Sequence, residues 1–513
     1  MSFPLRAAAR WLICLAVLTV GTGLARAQDN APNVRRLPKN TVAYFSVRSV
    51  ADFKARFGES MYGRMLRDPA LHPIIEEVHG KLSDGLKQFE SEAGFSMEEL
   101  MSVPQGEMSV AVTLGPNAGQ FAVAAFVDFT GKEESFQKAL GRMNRGMDEQ
   151  GVKRVEEEVE GSTAVLIQLP EMPQTVKVAP AYCVKGNTFV FVSHVDALRS
   201  ILTRWDGQHS ETLADNDVFQ YITDRCRVEG VEGSSLAAWF VDPMSIVRGA
   251  LSVDPQMAFQ AAMAMGIVQQ VGVDKLKGMG GTMDLGQGDF DSVGHTFVYM
   301  EPAPRSVLNI AQFDEGALGP PSWVSAEATA FSSTRWNIEK AYATVESLVD
   351  MFRGPGSTAK ALDEFSQNAE TGRIHVKRDL IDQFTGNMQS FSDQVGDAGA
   401  TRDRMLFGLE LRNPNAMKGV LARIAGIEGF PGTQREFQGE TIYEFSLPAG
   451  MLENIPGLTA LQDGAAAAEG ESTMGLWIAE GRMLFAIDVT ILEQVMRGPG
   501  ERESLSESAV YKR

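Results

Sequence analysis

The sequence predicts the α+β fold class, with two divergent repeats of an antiparallel sheet that has helices packed on it, plus an intervening partial unit. Alternating apolar and polar residues predict strands, as over residues 108–112. Apolar residues at helical spacing predict a helix over 73–92. Runs of strands beside segregated helices are typical of sheets covered by helices on one face. A doubly wound nucleotide-binding fold is disfavoured, because its strands would alternate singly with helices.

The first 27 residues have the features of a secretory signal peptide. Arg6 and Arg10 precede an apolar run over 11–20, and Ala25-Arg26-Ala27 is a small-x-small cleavage site, so the mature chain is expected to begin at Gln28. The run is shorter than the roughly 20 apolar residues that span a membrane, which disfavours the alternative of an uncleaved anchor helix. We therefore expect a periplasmic or secreted protein with no integral membrane span after cleavage.

The chain is acidic, with 66 Asp and Glu against 47 Lys and Arg. Cleavage would remove three arginines and no acid, so the formal charge would change from −19 to −22. Binding to nucleic acid depends on Lys and Arg displacing counterions from phosphates, and a surplus of acids opposes it. An apolar share of 44% is ordinary for a globular protein. The composition thus predicts a folded, acidic protein that does not bind nucleic acid.

Two cysteines, Cys183 and Cys226, remain after cleavage. In an oxidising compartment they could form a disulfide, and two separately buried thiols are the alternative. The sequence alone does not place their Cα atoms within bonding reach.

Landmarks of the first half of the mature chain recur in the same order in the second half. The opening strand and helix of 38–50 match 321–338, and Gly106 matches Gly386 at an offset of 280. Two hairpin turns also recur, and their glycines pair as Gly161 with Gly439 and Gly186 with Gly481. Such ordered recurrence indicates an internal duplication. The predicted divisions are a first α+β repeat over 28–215, an intervening partial unit and connector over 216–316, and a second α+β repeat over 317–513.

The intervening segment has its own strand and turn signals. Residues 236–241 resemble a strand, and Asp242-Pro243 then begins a helix, with Asp as N-cap and Pro at the first helical position. Residues 280–285 and 290–300 predict two strands around a Gly-rich turn. The Pro- and Gly-rich stretch over 302–321 is typical of a connector.

The opening Leu37-Pro38-x-Asn40-Thr41, the strand over 42–47, the helices after it and the repeated hairpins carry a family resemblance. The chain resembles a broad family of secreted bacterial proteins that is catalogued as a domain of unknown function. The resemblance covers nearly the whole mature chain. It implies export and a repeat architecture, and it brings no catalytic residues.

Catalytic and metal motifs are sparse. There is no Gly-x-Ser-x-Gly elbow, no His-Glu-x-x-His and no phosphate loop. The segment 354–360, GPGSTAK, has some likeness to a phosphate cradle, but its spacing differs and a flexible loop between two helices is the favoured interpretation. His72, Glu76 and His79 lie on one helical face at spacings that could suit zinc. Pro73 starts that helix in our prediction, which turns His72 away and disfavours the site.

A methionine-rich segment over 256–270 contains Met257, Met263 and Met265. Methionine fills irregular cores and also lines adaptable hydrophobic grooves. Core filling is the favoured interpretation, and a groove at the junction of the copies, lined by 236–300, is the alternative.

We expect an exported, non-catalytic scaffold or binding protein of the periplasm or cell envelope, whose partner is an unknown envelope protein or a hydrophobic ligand. The alternatives are a carrier of a hydrophobic ligand in the methionine-rich groove, and an unrecognised hydrolase that uses Glu76 and His79. No cofactor is expected.

Overall fold

The computed structural model describes residues 32–71, 102–115, 120–168, 180–227, 235–251, 258–287, 290–303, 306–316, 318–396, 402–430, 432–445, 473–498 and 503–512. The described residues divide into two compact units. Unit 1 comprises Met1–Gln270 and Asp274–Pro302, and unit 2 comprises Val271–Val273 and Ala303–Arg513. The predicted signal peptide lies outside the described residues.

Unit 1 is built on a ten-stranded antiparallel sheet. Its described strands are β1 (Thr41–Val47), β2 (Met108–Leu114), β3 (Phe121–Asp128), β4 (Lys153–Val159), β5 (Ser162–Gln168), β6 (Ala181–Lys185), β7 (Thr188–Val192), β8 (Ala237–Val241), β9 (Leu276–Gln287) and β10 (Phe290–Met300). Their spatial order is β10-β9-β8-β1-β2-β3-β7-β6-β5-β4. The described helices are α1 (Val50–Glu59), α2 (Met61–Met65), α3 (Glu133–Glu149), α4 (Val195–Thr203), α5 (Asp217–Arg225), α6 (Pro243–Leu251) and α7 (Ala258–Gln270).

Alternation in the strands places one face of this sheet in the main core of unit 1. Phe126 of β3 and Val190 of β7 are fully buried there. Leu198 and Ile201 of α4, three residues apart on one helical face, pack into the same core. The apolar stripe of α4 therefore fixes this helix against the centre of the sheet.

Unit 2 is built on a seven-stranded antiparallel sheet. Its described strands are β11 (Ala330–Arg335), β12 (Phe384–Val395), β13 (Arg402–Leu411), β14 (Gly432–Phe437), β15 (Glu440–Phe445), β16 (Met474–Ala479) and β17 (Arg482–Ala486). The described helices are α8 (Ile338–Arg353), α9 (Ser357–Gln367), α10 (Pro414–Ala425), α11 (Val489–Met496) and α12 (Ala509–Lys512).

The strand order confirms the predicted α+β fold of two repeats. The order β11-β12-β13-β17-β16-β15-β14 in unit 2 reproduces β1-β2-β3-β7-β6-β5-β4 in unit 1. The helices fall at equivalent places: α3 and α10 follow the third strand, and α4 and α11 follow the last strand of each repeat. Both repeats therefore have one topology.

The hairpin turns refine the predicted alignment. Gly161 and Gly439 are the second residues of equivalent two-residue turns, with φ of 68° and 82°, after Glu160 and Gln438, whose φ values are also positive. This pair of glycines matches as predicted.

The second pair of glycines does not match, and the prediction is wrong by one residue. Lys185 pairs with Thr188, so Gly186 is the first residue of its turn. Ala479 pairs with Arg482, so Gly481 is the second. Gly186 is therefore equivalent to Glu480, and Asn187 to Gly481. Either turn position accepts glycine in a two-residue hairpin, so the glycines alone do not fix the register.

The intervening segment supplies β8, β9 and β10, which extend the sheet of unit 1 beyond β1. Strand β8 pairs antiparallel with β1, and Trp239 lies opposite Phe45. Asp242 caps the following α6 as predicted, because its carboxylate accepts a hydrogen bond of 2.9 Å from the Ser245 N–H. In unit 2 the equivalent of β1, strand β11, is an edge strand of the described sheet.

Candidate functional site

Strand register allows the two units to be compared residue by residue. In unit 1, Thr113 lies opposite Ala122 across β2 and β3. In unit 2, Asp393 lies opposite Arg404 across β12 and β13. Strands β7 and β17 then set the equivalence of α4 and α11. The resulting pairs are Thr113 and Asp393, Ala122 and Arg404, His194 and Asp488, Asp196 and Thr490, and Ser200 and Gln494.

In unit 2 these positions form a buried polar group, which we call the Arg404 cluster: Asp393, Arg404, Thr490 and Gln494. The Arg404 guanidinium donates Nε to Asp393 Oδ1 at 2.9 Å and Nη2 to Asp393 Oδ2 at 2.6 Å. It also donates to Thr490 Oγ1 at 3.2 Å and to Gln494 Oε1 at 2.7 Å. The side chains of Arg404 and Asp393 are only 5% and 9% exposed. The cluster therefore fills the space between the sheet and α11.

In unit 1 the equivalent positions line an open cleft instead. Thr113 and Ala122 are short side chains on the strands, and Asp196 and Ser200 face them from α4. The cleft, which we call the α4 cleft, has a volume of about 710 Å³. Its other described lining residues are Pro38, Lys39, Asn40, Leu114, Gly115, Gln120, Glu160, His194, Ala197, Arg199, Ile201, Thr203, Arg204 and Glu211. The space that Arg404 fills in unit 2 is thus left free by Ala122 in unit 1.

The N-cap of the helix also differs between the units. Asp488 caps α11, and its Oδ1 accepts from the Thr490 N–H at 2.9 Å and from the Thr490 hydroxyl at 2.6 Å. His194 occupies the N-cap of α4, and its side chain makes no capping hydrogen bond. Histidine is a poor substitute for aspartate at this position. Unit 1 therefore lacks both the guanidinium and the cap carboxylate that unit 2 provides.

The ring of His194 lines the cleft with one nitrogen unsatisfied. The residue is only 7% exposed, and its Nδ1 lies 2.9 Å from Ser193 Oγ. Ser193 Oγ also accepts the Val123 N–H at 2.8 Å, so the Ser193 hydroxyl joins strand β3 to the His194 ring. Burial lowers the pKa of His194, which keeps the ring neutral at pH 7. The other ring nitrogen, Nε2, is buried and has no hydrogen-bond partner among the described residues.

Charges of both signs line the α4 cleft. Arg199 donates to Asp196 at 2.8 Å, and both side chains are about half exposed. Arg204 folds back on the helix and donates Nη1 to the carbonyl and hydroxyl oxygens of Ser200, both at 2.9 Å. With Lys39 as a third base and Glu160 and Glu211 as further acids, the lining is balanced in formal charge. Such a lining suits a polar ligand with charges of both signs.

The predicted methionine groove is described only in part. Met257 lies outside the described residues. Met263 of α7 is 57% exposed and Met265 is partly exposed, so neither is enclosed in the core. Ile267 of the same helix is 51% exposed, and α7 contains no charged residue.

The other candidate residues have separate outcomes. His72, Glu76 and His79 lie outside the described residues, and no group of three or more potential metal ligands occurs in the described part of the chain. Cys183 and Cys226 are both buried free thiols, so the structure has no disulfide between them. Burial raises the pKa of Cys183 to about 11, which makes that thiol unreactive.

The segment 354–360 is an anion-binding turn that the protein itself occupies. Asp350 of α8 accepts hydrogen bonds from the Gly356 N–H at 2.8 Å and the Thr358 N–H at 2.8 Å. The Ser357 hydroxyl also donates to Asp350, at 3.0 Å. The loop that we predicted to be flexible is therefore fixed, and its donors already hold a carboxylate.

His194 belongs to no recognisable sequence motif, and Ala122 and Thr113 are ordinary strand residues. The available signal was the comparison of the two copies, position by position. That comparison requires the register of β3 and β13, which the loose match of the copies did not supply.

No described helix is long and apolar enough to cross a membrane. Comparisons with protein-family models, with curated proteins and with solved structures found no match to the chain.

Proposed function

We propose that the protein is an exported, non-catalytic binding protein whose ligand site is the α4 cleft of unit 1. One observation carries the proposal: the same place in the fold is filled by a buried ion pair in unit 2 and open in unit 1. Clefts with a few placed polar groups are the usual form of ligand sites. Unit 2 would then be the structural copy, and unit 1 the binding copy.

The chemistry of the cleft supports binding rather than catalysis. A nucleophile and a general base within hydrogen-bonding reach would be needed for acyl transfer. Ser193 and His194 have side chains 2.9 Å apart, but Ser193 is not among the described residues that line the cleft, and its oxygen accepts the Val123 N–H in the turn before α4. Because the first 27 residues resemble a signal peptide, the proposed binding takes place in the periplasm or outside the cell.

A plugged variant tests the site directly. Thr113→Asp with Ala122→Arg transfers the Asp393–Arg404 ion pair into unit 1. We expect saturation-transfer NMR with a library of polar fragments to detect binders of the wild-type protein that the plugged variant loses. Circular dichroism checks that the variant is folded.

The matched control is Thr433→Arg with Gln434→Asp, two exposed positions of β14 that introduce the same charges away from the cleft. The control should retain the fragments that the plugged variant loses. If the plugged variant retains every fragment that the wild type binds, the α4 cleft is not the site.

Export is tested separately, by sequencing the N-terminus of the protein purified from the periplasm. We expect the mature chain to begin at Gln28.

The exposed α7 favours a second candidate function, the binding of a hydrophobic ligand. A helix that is apolar all round is usually buried, whereas Met263 and Ile267 of α7 are more than half exposed. Native mass spectrometry of the purified protein should then detect a retained lipid that Met263→Gln with Ile267→Gln releases. A protein without bound lipid would count against this second candidate and leave the proposal of the α4 cleft in place.

A further inference from the structure

The α4 cleft lacks two charged groups that the equivalent place in unit 2 contains. Ala122 replaces Arg404, so this strand position supplies no guanidinium; the two arginines that line the cleft, Arg199 and Arg204, contact Asp196 and Ser200 from the helix side. His194 replaces Asp488, so the carboxylate at the N-terminus of the helix is missing. In unit 2 these groups are linked through one residue, because Thr490 Oγ1 accepts from Arg404 and donates to Asp488.

From this comparison we infer that the ligand of the α4 cleft carries a carboxylate and a guanidinium, as free arginine and a peptide ending in arginine do. The inference rests on the proposed function and specifies the ligand class of the same site. The ligand would supply to unit 1 the two groups that unit 2 holds in its own chain.

The carboxylate end has donors in the cleft. Helix α4 has nine residues and no side-chain cap; its Ala197 N–H donates to the His194 carbonyl oxygen at 3.0 Å, which leaves the N–H groups of Val195 and Asp196 for an anion. Independently, His194 is more than nine-tenths buried, lines the cleft and has an unpartnered Nε2. A buried polar atom without a partner is costly, and in the tautomer that has its proton on Nε2 a ligand carboxylate at this end would satisfy it.

The guanidinium end has acceptors in the cleft. Asp196 takes the position of Thr490, which lies within 3.2 Å of the Arg404 guanidinium in unit 2. The carboxylate of Asp196 is now held by Arg199 in a half-exposed pair, and such pairs contribute little and exchange readily. Glu160 and Glu211 also line the cleft, and the net negative charge of the protein attracts a cationic ligand over distance.

The carboxylates of the cleft also argue against a general anion site. A compact dianion such as phosphate would meet Asp196 at the same helix end, and Asp196 would repel it. A ligand that carries its own cation offsets this repulsion, which a phosphate ion does not.

The test uses the full-length protein and three related probes: L-arginine, agmatine, which lacks the carboxylate, and L-citrulline, which has a neutral urea group in place of the guanidinium. We expect calorimetry to detect L-arginine binding, and agmatine and citrulline to bind at least about ten-fold more weakly, because each loses hydrogen bonds between charged groups. The His194 ring signal, assigned by comparison with His194→Gln among the six histidines, should shift with L-arginine. If Gly-Gly-Arg binds more tightly than L-arginine, the ligand is the C-terminal arginine of a peptide and not the free amino acid.

The variant Asp196→Asn separates the two halves of the ligand. It should weaken L-arginine at least about ten-fold and leave citrulline unchanged, because citrulline makes no charge pair there. Equal binding of agmatine and arginine, or of phosphate and arginine, would overturn the inference. If polar fragments bind only to the unplugged cleft but L-arginine does not bind, the inference fails and the proposed function stands. If no fragment distinguishes the plugged variant, the proposed function itself fails.

Discussion

Removing the guanidinium of Arg404 should destabilise unit 2 by several kilocalories per mole. The variant Arg404→Ala leaves the Asp393 carboxylate, which is 9% exposed, without its bidentate partner. Breaking a buried ion pair by removing one partner costs about 3–5 kcal/mol. The variant Asp393→Thr leaves the guanidinium buried and should cost a similar amount.

The double variant Arg404→Ala with Asp393→Thr gives unit 2 the residues of unit 1 at both positions. It removes both buried charges, so it should be less destabilised than either single variant. We expect a coupling energy of at least about 2 kcal/mol between the two sites, since residues in contact are not additive.

Urea denaturation of the full chain, read by hydrogen exchange of peptides from unit 2, measures these differences. Peptides from unit 1 serve as the internal control and should keep their protection, because multi-unit chains need not unfold in one step. If the free-energy losses of the two single variants add up to that of the double variant, or if a single variant costs less than about 1 kcal/mol, then water screens the Asp393–Arg404 ion pair. Either result would refute our description of a filled cleft in unit 2.

The other predictions concern caps, turns and acid stability. His194→Asp should stabilise unit 1 by about 1 kcal/mol, because aspartate caps α4, and Asp488→His should destabilise unit 2 by a similar amount. Urea midpoints measure both changes. If neither midpoint changes, the difference that we describe between the N-caps of α4 and α11 is wrong. Gly439→Ala, at φ 82° with no atom within 4 Å of the added Cβ, should cost about 1–2 kcal/mol. Gly386→Ala should cost at least twice as much, because at φ 92° its Cβ would also overlap the Trp336 carbonyl oxygen, and equal losses in thermal unfolding would refute this contrast. Hydrogen bonds, of which that from the Thr358 N–H is the largest cause, lower the pKa of Asp350 from 3.8 to about 2. The stabilising contribution of this carboxylate is therefore present above pH 3.8 and is lost as the pH falls towards 2. Asp350→Asn should make the urea midpoint of unit 2 depend less on pH in that range, and an unchanged dependence would contradict the assignment.

Much of the fold could be predicted from the sequence because turns and patterns are local. The hairpin turns, the Asp242-Pro243 helix start and the Gly-rich turn between β9 and β10 each depend on neighbouring residues, and the ordered recurrence of the hairpins indicated the duplicated α+β units. What local patterns do not determine is the partner of each strand. The addition of β8, β9 and β10 to the sheet of unit 1 depends on the pairing of β8 with β1, which lies far away in the chain.

The candidate site could not be predicted, because its signal is a difference between two distant sets of residues. Ala122 and Thr113 are ordinary strand residues, and only their match to Arg404 and Asp393 indicates that the chain left a space open. The one-residue shift between Gly186 and Gly481 shows how easily such matches are missed. His194 could be noted from the sequence, but the satisfied Nδ1 and unsatisfied Nε2 require coordinates.

The pairing of β1 with β8 also has a consequence for the rate and order of folding. Phe45 lies opposite Trp239, a separation of 194 residues, whereas the neighbouring strands of unit 2 join residues at most about 80 apart, as Leu406 and Ala486 do. Long-range pairings slow folding because the closure of a long loop precedes the contacts that stabilise it. The described strands of unit 2 should therefore pair faster than β1 pairs with β8, although unit 2 is synthesised later and its isolated bridge between Ser325 and Ser504 also spans 179 residues. Until β8 arrives, the outer edge of β1 has unpaired N–H and C=O groups, which is the interval in which unit 1 is open to pairing with other chains.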